Sequence, residues 1–394
     1  MTNKILQLDF SNTEIAFKAK TNSELRTSYF LFKAIGMNWL VKMGTPLIET
    51  AFALHLPIKS IIKHTVYQQF VGGENIIECE KAIDTLNKYH IGTILDYSVE
   101  GKEAESDFEN TCNETIDTIH KAKGNSKIPF CVFKVTGLAR LALLEKINSN
   151  ITLNESETLE FEKVKARIEK ICRTAFENNV KIFIDAEETW IQNPIDDMAT
   201  EMMLKFNKNE AIVYNTIQLY RHDRLAYLKD SFNHAISNNY YLGMKLVRGA
   251  YMEKERERAA KLNYTDPIQV NKENSDADYD KALRFCLENI NRISICAGTH
   301  NENSSRTLAQ MMLENNIDIN DKRIYFSQLY GMSDNLSFNL ANAGYNVTKY
   351  LPYGPVKDVM PYLFRRAAEN TSVKGQTGRE LNLILKEKAR RGAL

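Results

Sequence analysis

A chain of 394 residues, 43% hydrophobic and 26% charged, has an ordinary globular composition and can hold one large barrel with a smaller helical region, or two to three domains. Its 51 basic and 50 acidic side chains nearly cancel, which excludes the electrostatic footprint of a nucleic-acid binder. The six cysteines (Cys79, Cys112, Cys131, Cys172, Cys286, Cys296) are scattered, without a CxxC pair or a His cluster, and read as buried thiols of a reducing compartment.

The N-terminus lacks an apolar signal-peptide core, and Asp9 and Glu14 disfavour a transit peptide. Residues 28–57 are apolar, but Lys33, Lys42 and Glu49 interrupt them before any run could span a bilayer. Core helices are expected there, with a membrane-surface face as the alternative. Residues 1–90 read as helical, most clearly over Thr21–Leu40, Ile48–Leu54 and Asn75–Tyr89, and a boundary is expected near residue 90. Residues 91–394 alternate β-rich runs with amphipathic segments such as Glu155–Asn178 and Tyr279–Asn289. The runs are Gly92–Leu95, Phe130–Val135, Val180–Asp185, Ala211–Ile217, Gly243–Val247, Ile293–Gly298, Arg323–Ser327 and Asn346–Leu351. Eight strand-helix repeats imply right-handed crossovers, a parallel sheet and closure into a (β/α)8 TIM-type barrel. A doubly wound sheet is the alternative, weakened because no G-x-G-x-x-G turn follows any strand.

Barrel chemistry sits where strands end. The polar residues at those ends are Lys134, Asp185 with Glu187, Gln218, Arg248 with Tyr251, Thr299-His300-Asn301, Gln328 and Tyr350. Each alone has a structural explanation: Lys134 can snorkel, Asp185 can cap a helix, His300 can be a core imidazole. Together they describe a polar mouth large enough for a cofactor. No metal-ligand spacing, P-loop or nucleophile elbow occurs among them.

The final block, Tyr350-Leu-Pro-Tyr-Gly-Pro and Pro361-Tyr-Leu-Phe-Arg-Arg-Ala-Ala-Glu-Asn370, adds an anion grip. As a helix it places Tyr362, Arg365, Arg366 and Glu369 on one face, with Asp358 as its cap and Pro361 in its first turn. An exposed Arg-Arg is usually a solvated face. Tyr362, Leu363 and Phe364 imply instead a packed helix, where guanidiniums need a carboxylate or phosphate.

These blocks resemble the proline dehydrogenase family, flavoenzymes on a distorted (β/α)8 barrel. The matching stretches are Val66-Tyr-Gln-Gln-Phe-Val-Gly-Gly-Glu74, Phe183-Ile-Asp-Ala-Glu-Glu188, Lys245-Leu-Val-Arg-Gly-Ala-Tyr251, Gly298-Thr-His-Asn301, Gln328-Leu-Tyr-Gly-Met332 and the block from Tyr350 to Glu369. They run in order over most of the chain after residue 65. The resemblance implies FAD-dependent oxidation of L-proline to Δ1-pyrroline-5-carboxylate, the first step of proline catabolism, by hydride transfer to flavin N5. It implies a substrate site of Lys134, Asp185, Tyr251, Leu329, Tyr350, Tyr362, Arg365 and Arg366, with Asp185, Lys245 and Tyr251 nearest the chemistry. FAD contacts would come from Ala186, Gln218, Lys245, Val247, Arg248, Gly249, Ala250, Thr299, His300, Asn301 and Glu369, with Gly249 admitting close backbone approach.

The family's bacterial members often carry arginine at the position of Lys245; lysine keeps the charge and loses the planar fork. The resemblance also implies a quinone or other electron acceptor, a separate pyrroline-5-carboxylate dehydrogenase consuming the product, and transient membrane contact. A cytoplasmic protein, peripheral at the inner membrane face and without a fused aldehyde dehydrogenase domain, is the expectation. A hydroxyproline dehydrogenase, a Schiff-base barrel aldolase using Lys134 and a small-anion binding protein are the alternative functions.

Overall fold

The computed structural model describes residues 8–54, 56–99, 101, 103–372 and 376–392. Eight parallel strands close in sequential order into a barrel: β1 (Ile91–Tyr97), β2 (Phe130–Lys134), β3 (Lys181–Asp185), β4 (Val213–Gln218), β5 (Leu242–Val247), β6 (Ile293–Gly298), β7 (Ile324–Leu329) and β8 (Val347–Tyr353). Each predicted strand is present, with its ends displaced by two residues at most. Helices lie between the strands, as parallel crossovers require.

Successive strand residues point to opposite faces. The outward set packs against the helices in the main apolar core, which includes Leu95, Cys131, Ile182, Ile184, Leu246 and Leu351. The inward set fills the lumen with Ile94, Phe130, Val132, Phe183, Tyr214, Cys296 and Tyr350. Phe130 and Phe183 stack at 4.5 Å, and Tyr214 meets both edge-on at 5.5 Å. This plug fills the N-terminal end, where Lys181 lies over the Phe130 and Tyr325 rings; the polar residues of the cavity gather at the C-terminal mouth. All six cysteines are buried and unpaired by disulfides.

Ahead of β1, the Asn22–Ile35 helix opens on a capping box between Thr21 and Glu24, and the Ile76–Asn87 helix is capped by Asn75. The expected Thr21–Leu40 helix is interrupted after Ile35 and resumes as Asn38–Ala53. That second helix runs through Gly44 and Pro46, well ahead of the expected start at Ile48, because one proline removes a single intrahelical bond and leaves its neighbours intact. Phe32, Tyr67 and Phe70 share a second apolar cluster with Val356 and Val359 of the preceding turn and with Tyr362, Leu363 and Ile384 from the two C-terminal helices, Met360–Ser372 and Gln376–Arg390. This cluster makes the arginine-bearing helix a packed element.

Candidate active site

A cavity of about 720 Å³ opens at the C-terminal ends of the strands, within the size range of small-molecule and cofactor pockets. Period-2 alternation supplies its inward residues. Lys134 and Asp185 are register partners across β2 and β3, and Leu329 and Tyr350 across β7 and β8. Ala186, Gln218, Lys245, Val247, Arg248, Gly249, Ala250, Tyr251, Thr299, His300, Asn301, Tyr362, Arg365 and Arg366 line the same cavity. Glu369 belongs to the Met360–Ser372 helix, and its side chain lies outside the described residues. Glu187 is not among the lining residues: its buried carboxylate accepts from the Thr136 N–H at 2.9 Å and from the Thr136 hydroxyl. Burial pushes that carboxyl up to about 7.

Asp185, Lys245 and Tyr350 form one closed arrangement. Lys245 donates to Asp185 Oδ1 in a buried ion pair and to the Tyr350 hydroxyl at 3.1 Å. Tyr350 donates to Asp185 Oδ2 at 2.8 Å. The ammonium also stands 4.7 Å from the Tyr350 ring centroid and 5.3 Å from that of Phe183, where the ring faces attract a cation. Burial and the Asp185 charge drive the Tyr350 phenol well above its ordinary value, so it remains a proton donor. Burial likewise raises the Tyr251 phenol against the opposing charges of Lys134 and Arg365.

On the β5–β6 side, Arg248 is fully oriented. Its Nε donates to Asp276 at 2.6 Å, and its two terminal nitrogens donate to Thr299 Oγ1 at 2.7 Å and Ser304 Oγ at 3.0 Å. Asn301 caps the following helix through Ser304 N–H. His300 Nδ1 lies 2.9 Å from Ser333 Oγ. Burial, followed by the charges of Lys349, Arg366, Arg379 and Arg248, holds His300 well below the usual imidazole range. The buried Gln218 carbonyl oxygen lines the mouth and has no hydrogen-bond partner among the described residues. An unpaired buried acceptor is costly, so a donor from a bound group fits there. Gly249 lines the mouth and is also constrained from its other side. Its φ is +143°, and a Cβ would stand 2.3 Å from the Tyr220 ring, so the close approach is by that ring.

The Met360–Ser372 helix brings Tyr362, Arg365 and Arg366 to the cavity from above. Tyr362 and Arg366 are buried, and the Arg366 guanidinium lies 5.1 Å from the Tyr362 ring centroid. Val359, whose carbonyl accepts the first helical bond from Leu363 at 3.1 Å, occupies the capping position. Asp358, the expected cap, stands one residue earlier in a turn closed on the Pro355 carbonyl, and Val359 is fully buried in the apolar cluster.

Sequence reasoning missed Asp96, Met332 and Arg379 in the lining, and Asp276 behind Arg248. Asp96 was recoverable, since alternation from Ile94 places it inward. Arg379 carried no such signal: it arrives from the Gln376–Arg390 helix, where its guanidinium donates to the His300 carbonyl at 3.1 Å.

The family model described as proline dehydrogenase matches residues 79–379. Proline dehydrogenase 1, mitochondrial, from Dictyostelium discoideum is 32% identical over 99% of this chain and 76% of its own length. Hydroxyproline dehydrogenase from Xenopus laevis is 30% identical over 98% of this chain and 90% of its own. Among solved structures, proline utilization A from Bdellovibrio bacteriovorus superposes with a TM-score of 0.71 at 20% identity, over 95% of this chain. This chain spans about two fifths (39%) of that larger one, and the likeness shows the shared barrel fold. With the family match covering most of the barrel and its mouth, the chain belongs to the proline dehydrogenase family, oxidoreductases that act on CH–NH bonds.

Proposed function

We propose that this protein oxidises L-proline to Δ1-pyrroline-5-carboxylate with FAD as its cofactor. The observation that carries the reading is the pairing of cations on two walls of one cavity: Arg365 and Arg366 on the packed helix, and Lys134 at the end of β2. These three suit the substrate carboxylate, each charge-assisted bond contributing about 1.5–3 kcal/mol. Leu329, Tyr350 and Tyr362 form an apolar slot for the ring methylenes.

Gln218, Lys245, Arg248, Thr299, His300 and Asn301 would hold the cofactor, with the unpaired Gln218 oxygen supporting the fit. When bound, the flavin supplies the acceptor for the electrons of the substrate C–H bond. Asp185 already takes a proton donor on each oxygen, from Lys245 and Tyr350. It therefore acts as an electrostatic anchor that fixes Lys245 and Tyr350, not as the general base. Tyr251, held protonated, offers a neutral hydroxyl beside the substrate. The Met360–Ser372 helix roofs the cavity and limits water.

A quinone acceptor places the protein at a membrane face, and residues 30–61 support this. Trp39, Met43, Leu47 and Leu54 are each 56–65% exposed and fall on one face of the Asn38–Ala53 helix and its end. Between residues 26 and 63 the charged residues are Arg26, Lys33, Lys42, Lys59 and Lys63 against a single acid, Glu49. An apolar stripe flanked by basic residues suits anionic lipid. No helix of the described residues is long and apolar enough to cross a membrane. The relatives' mitochondrial names leave cytoplasmic residence as a proposal from the sequence alone.

The test is spectroscopic. Purified protein should show a bound-flavin absorption spectrum that L-proline bleaches without oxygen; a flavin that proline leaves unchanged would refute the reading. Hydroxyproline, suggested by the Xenopus relative's name, is the second reading, and comparison of kcat/KM for the two substrates decides between them.

A further inference from the structure

We propose that Lys349, which does not line the cavity, is a positioning residue that sets the shape of the substrate slot through the backbone of the Leu329–Ser333 loop. The inference rests on the reading of the cavity as a proline site. Lys349 precedes Tyr350 on β8, so its side chain leaves the strand on the face opposite the lumen. It is 0% exposed. There its ammonium donates to the Leu329 carbonyl at 3.3 Å and the Met332 carbonyl at 2.5 Å, and pairs with Asp334 Oδ1 at 2.9 Å. Those three contacts span one short loop and the first residue of the helix after it.

The loop is a wall between two spaces. Leu329 and Met332 line the substrate cavity, whereas Tyr330, Gly331 and Asp334 line a second cavity of about 670 Å³. Met332 and Leu329 pack into the second apolar cluster, and polar ties fix the backbone between the two cavities. Tyr330 N–H donates to the Tyr350 carbonyl at 2.8 Å, Gln69 Nε2 to the Gly331 carbonyl at 2.8 Å, and Ser333 N–H to Glu380 at 2.9 Å. Gly331 has φ +75°, and a Cβ on it would stand 1.9 Å from the Gln69 carbonyl oxygen, so only glycine fits the middle of the loop. Lys349 grips the loop at the two residues whose side chains face the substrate. An ammonium has three donors, and here all are taken. A buried ammonium tolerates burial only when bonded in this way, and Asp334 supplies the compensating charge.

A purely structural role for the Lys349–Asp334 pair makes a different forecast, and two variants separate them. Lys349→Met leaves the buried Asp334 with only the more distant Lys20 ammonium, at 3.9 Å, in place of the Lys349 contact at 2.9 Å, so both Tm and proline turnover should fall. The double variant K349M/D334N removes both charges and should regain most of the lost Tm, while the carbonyls of Leu329 and Met332 stay ungripped. In the double variant kcat/KM for proline should remain down roughly ten- to hundredfold, mainly through KM, as displaced positioning groups do. Binding of cyclopentanecarboxylate, which keeps the ring and carboxylate but lacks the nitrogen needed for reaction, should weaken in step while flavin content stays at the wild-type level. Recovery of both Tm and KM in the double variant, or wild-type kinetics in folded Lys349→Met, would overturn the inference. Wild-type protein that neither oxidises proline nor binds cyclopentanecarboxylate would overturn the reading of the cavity, and the inference with it, in an arm that contains no variant.

Discussion

Tyr350 gives its phenolic proton to Asp185 Oδ2 across 2.8 Å, and the same phenol oxygen accepts from Lys245 at 3.1 Å. The ring is therefore tied at its tip and cannot swing out of the slot. An added ring hydroxyl must press on it, and overfilling a packed site costs about 1–3 kcal/mol. Hydroxyproline should have a kcat/KM roughly 5- to 150-fold below that of proline. Tyr350→Ser should raise the ratio of hydroxyproline to proline turnover. Steady-state kinetics on both substrates check this; equal specificity constants in the wild type would refute it.

Arg365→Met and Arg366→Met should each damage proline use far more than flavin retention. Truncating one partner of a buried, hydrogen-bonded charge pair costs about 2–5 kcal/mol, so kcat/KM should fall roughly 30- to 4000-fold. Flavin absorbance per protein should stay near the wild-type ratio, because the expected flavin contacts apart from Glu369 lie on strand ends and βα-loops. Normal specificity constants in both folded variants would return these arginines to the role of a helix face.

His300 should make stability fall on acidification. Its folded value is held well below that of a free imidazole, so between the two the unfolded chain binds a proton that the native state refuses. Stability contributed by the neutral ring is complete above the ordinary value of about 6.5 and is lost as pH falls below it. Thermal melts of the holoenzyme between pH 7.5 and pH 5 should show a larger loss of Tm for wild type than for His300→Gln. Parallel curves would show that the ring titrates alike in both states.

The exposed stripe on the Asn38–Ala53 helix should bind lipid. Replacing Trp39, Met43 and Leu47 together by serine should lower partition onto vesicles containing anionic lipid by more than about tenfold, since each large apolar side chain contributes about 1.5–3 kcal/mol when buried. Turnover of proline with a soluble acceptor should be unaffected. Cosedimentation that is equal for variant and wild type would remove this helix from any membrane contact.

Much of the barrel was legible in the sequence because its signals are local. Eight short β-rich runs, each followed by an amphipathic segment, admit few closed parallel arrangements, and period-2 alternation then assigns the faces. Lys134, Asp185 and Tyr350 could be picked out at strand ends for that reason, Lys245 only through the family resemblance, and Arg365 with Arg366 because two guanidiniums among aromatics need an anion. Boundaries read from breakers were weaker: Pro46 sits inside the Asn38–Ala53 helix, because tertiary context outweighs the local preference of one residue.

Residue types and spacing by themselves determined most of the strand-end side chains that reach the mouth of the barrel. The tertiary structure alone decided what those side chains do to one another. Asp185, Lys245 and Tyr350 come from three strands, and their mutual bonds exist only once β3, β5 and β8 are closed into one lumen. Gln69, Lys349 and Arg379 carry no strand-end signal and act on loops far away in sequence. Gly249 has the same character, since the ring it accommodates belongs to Tyr220 on a neighbouring loop. Hydrogen bonds and ion pairs are set by distances of a few ångströms between segments, and such distances are a property of the packed chain that no local pattern encodes.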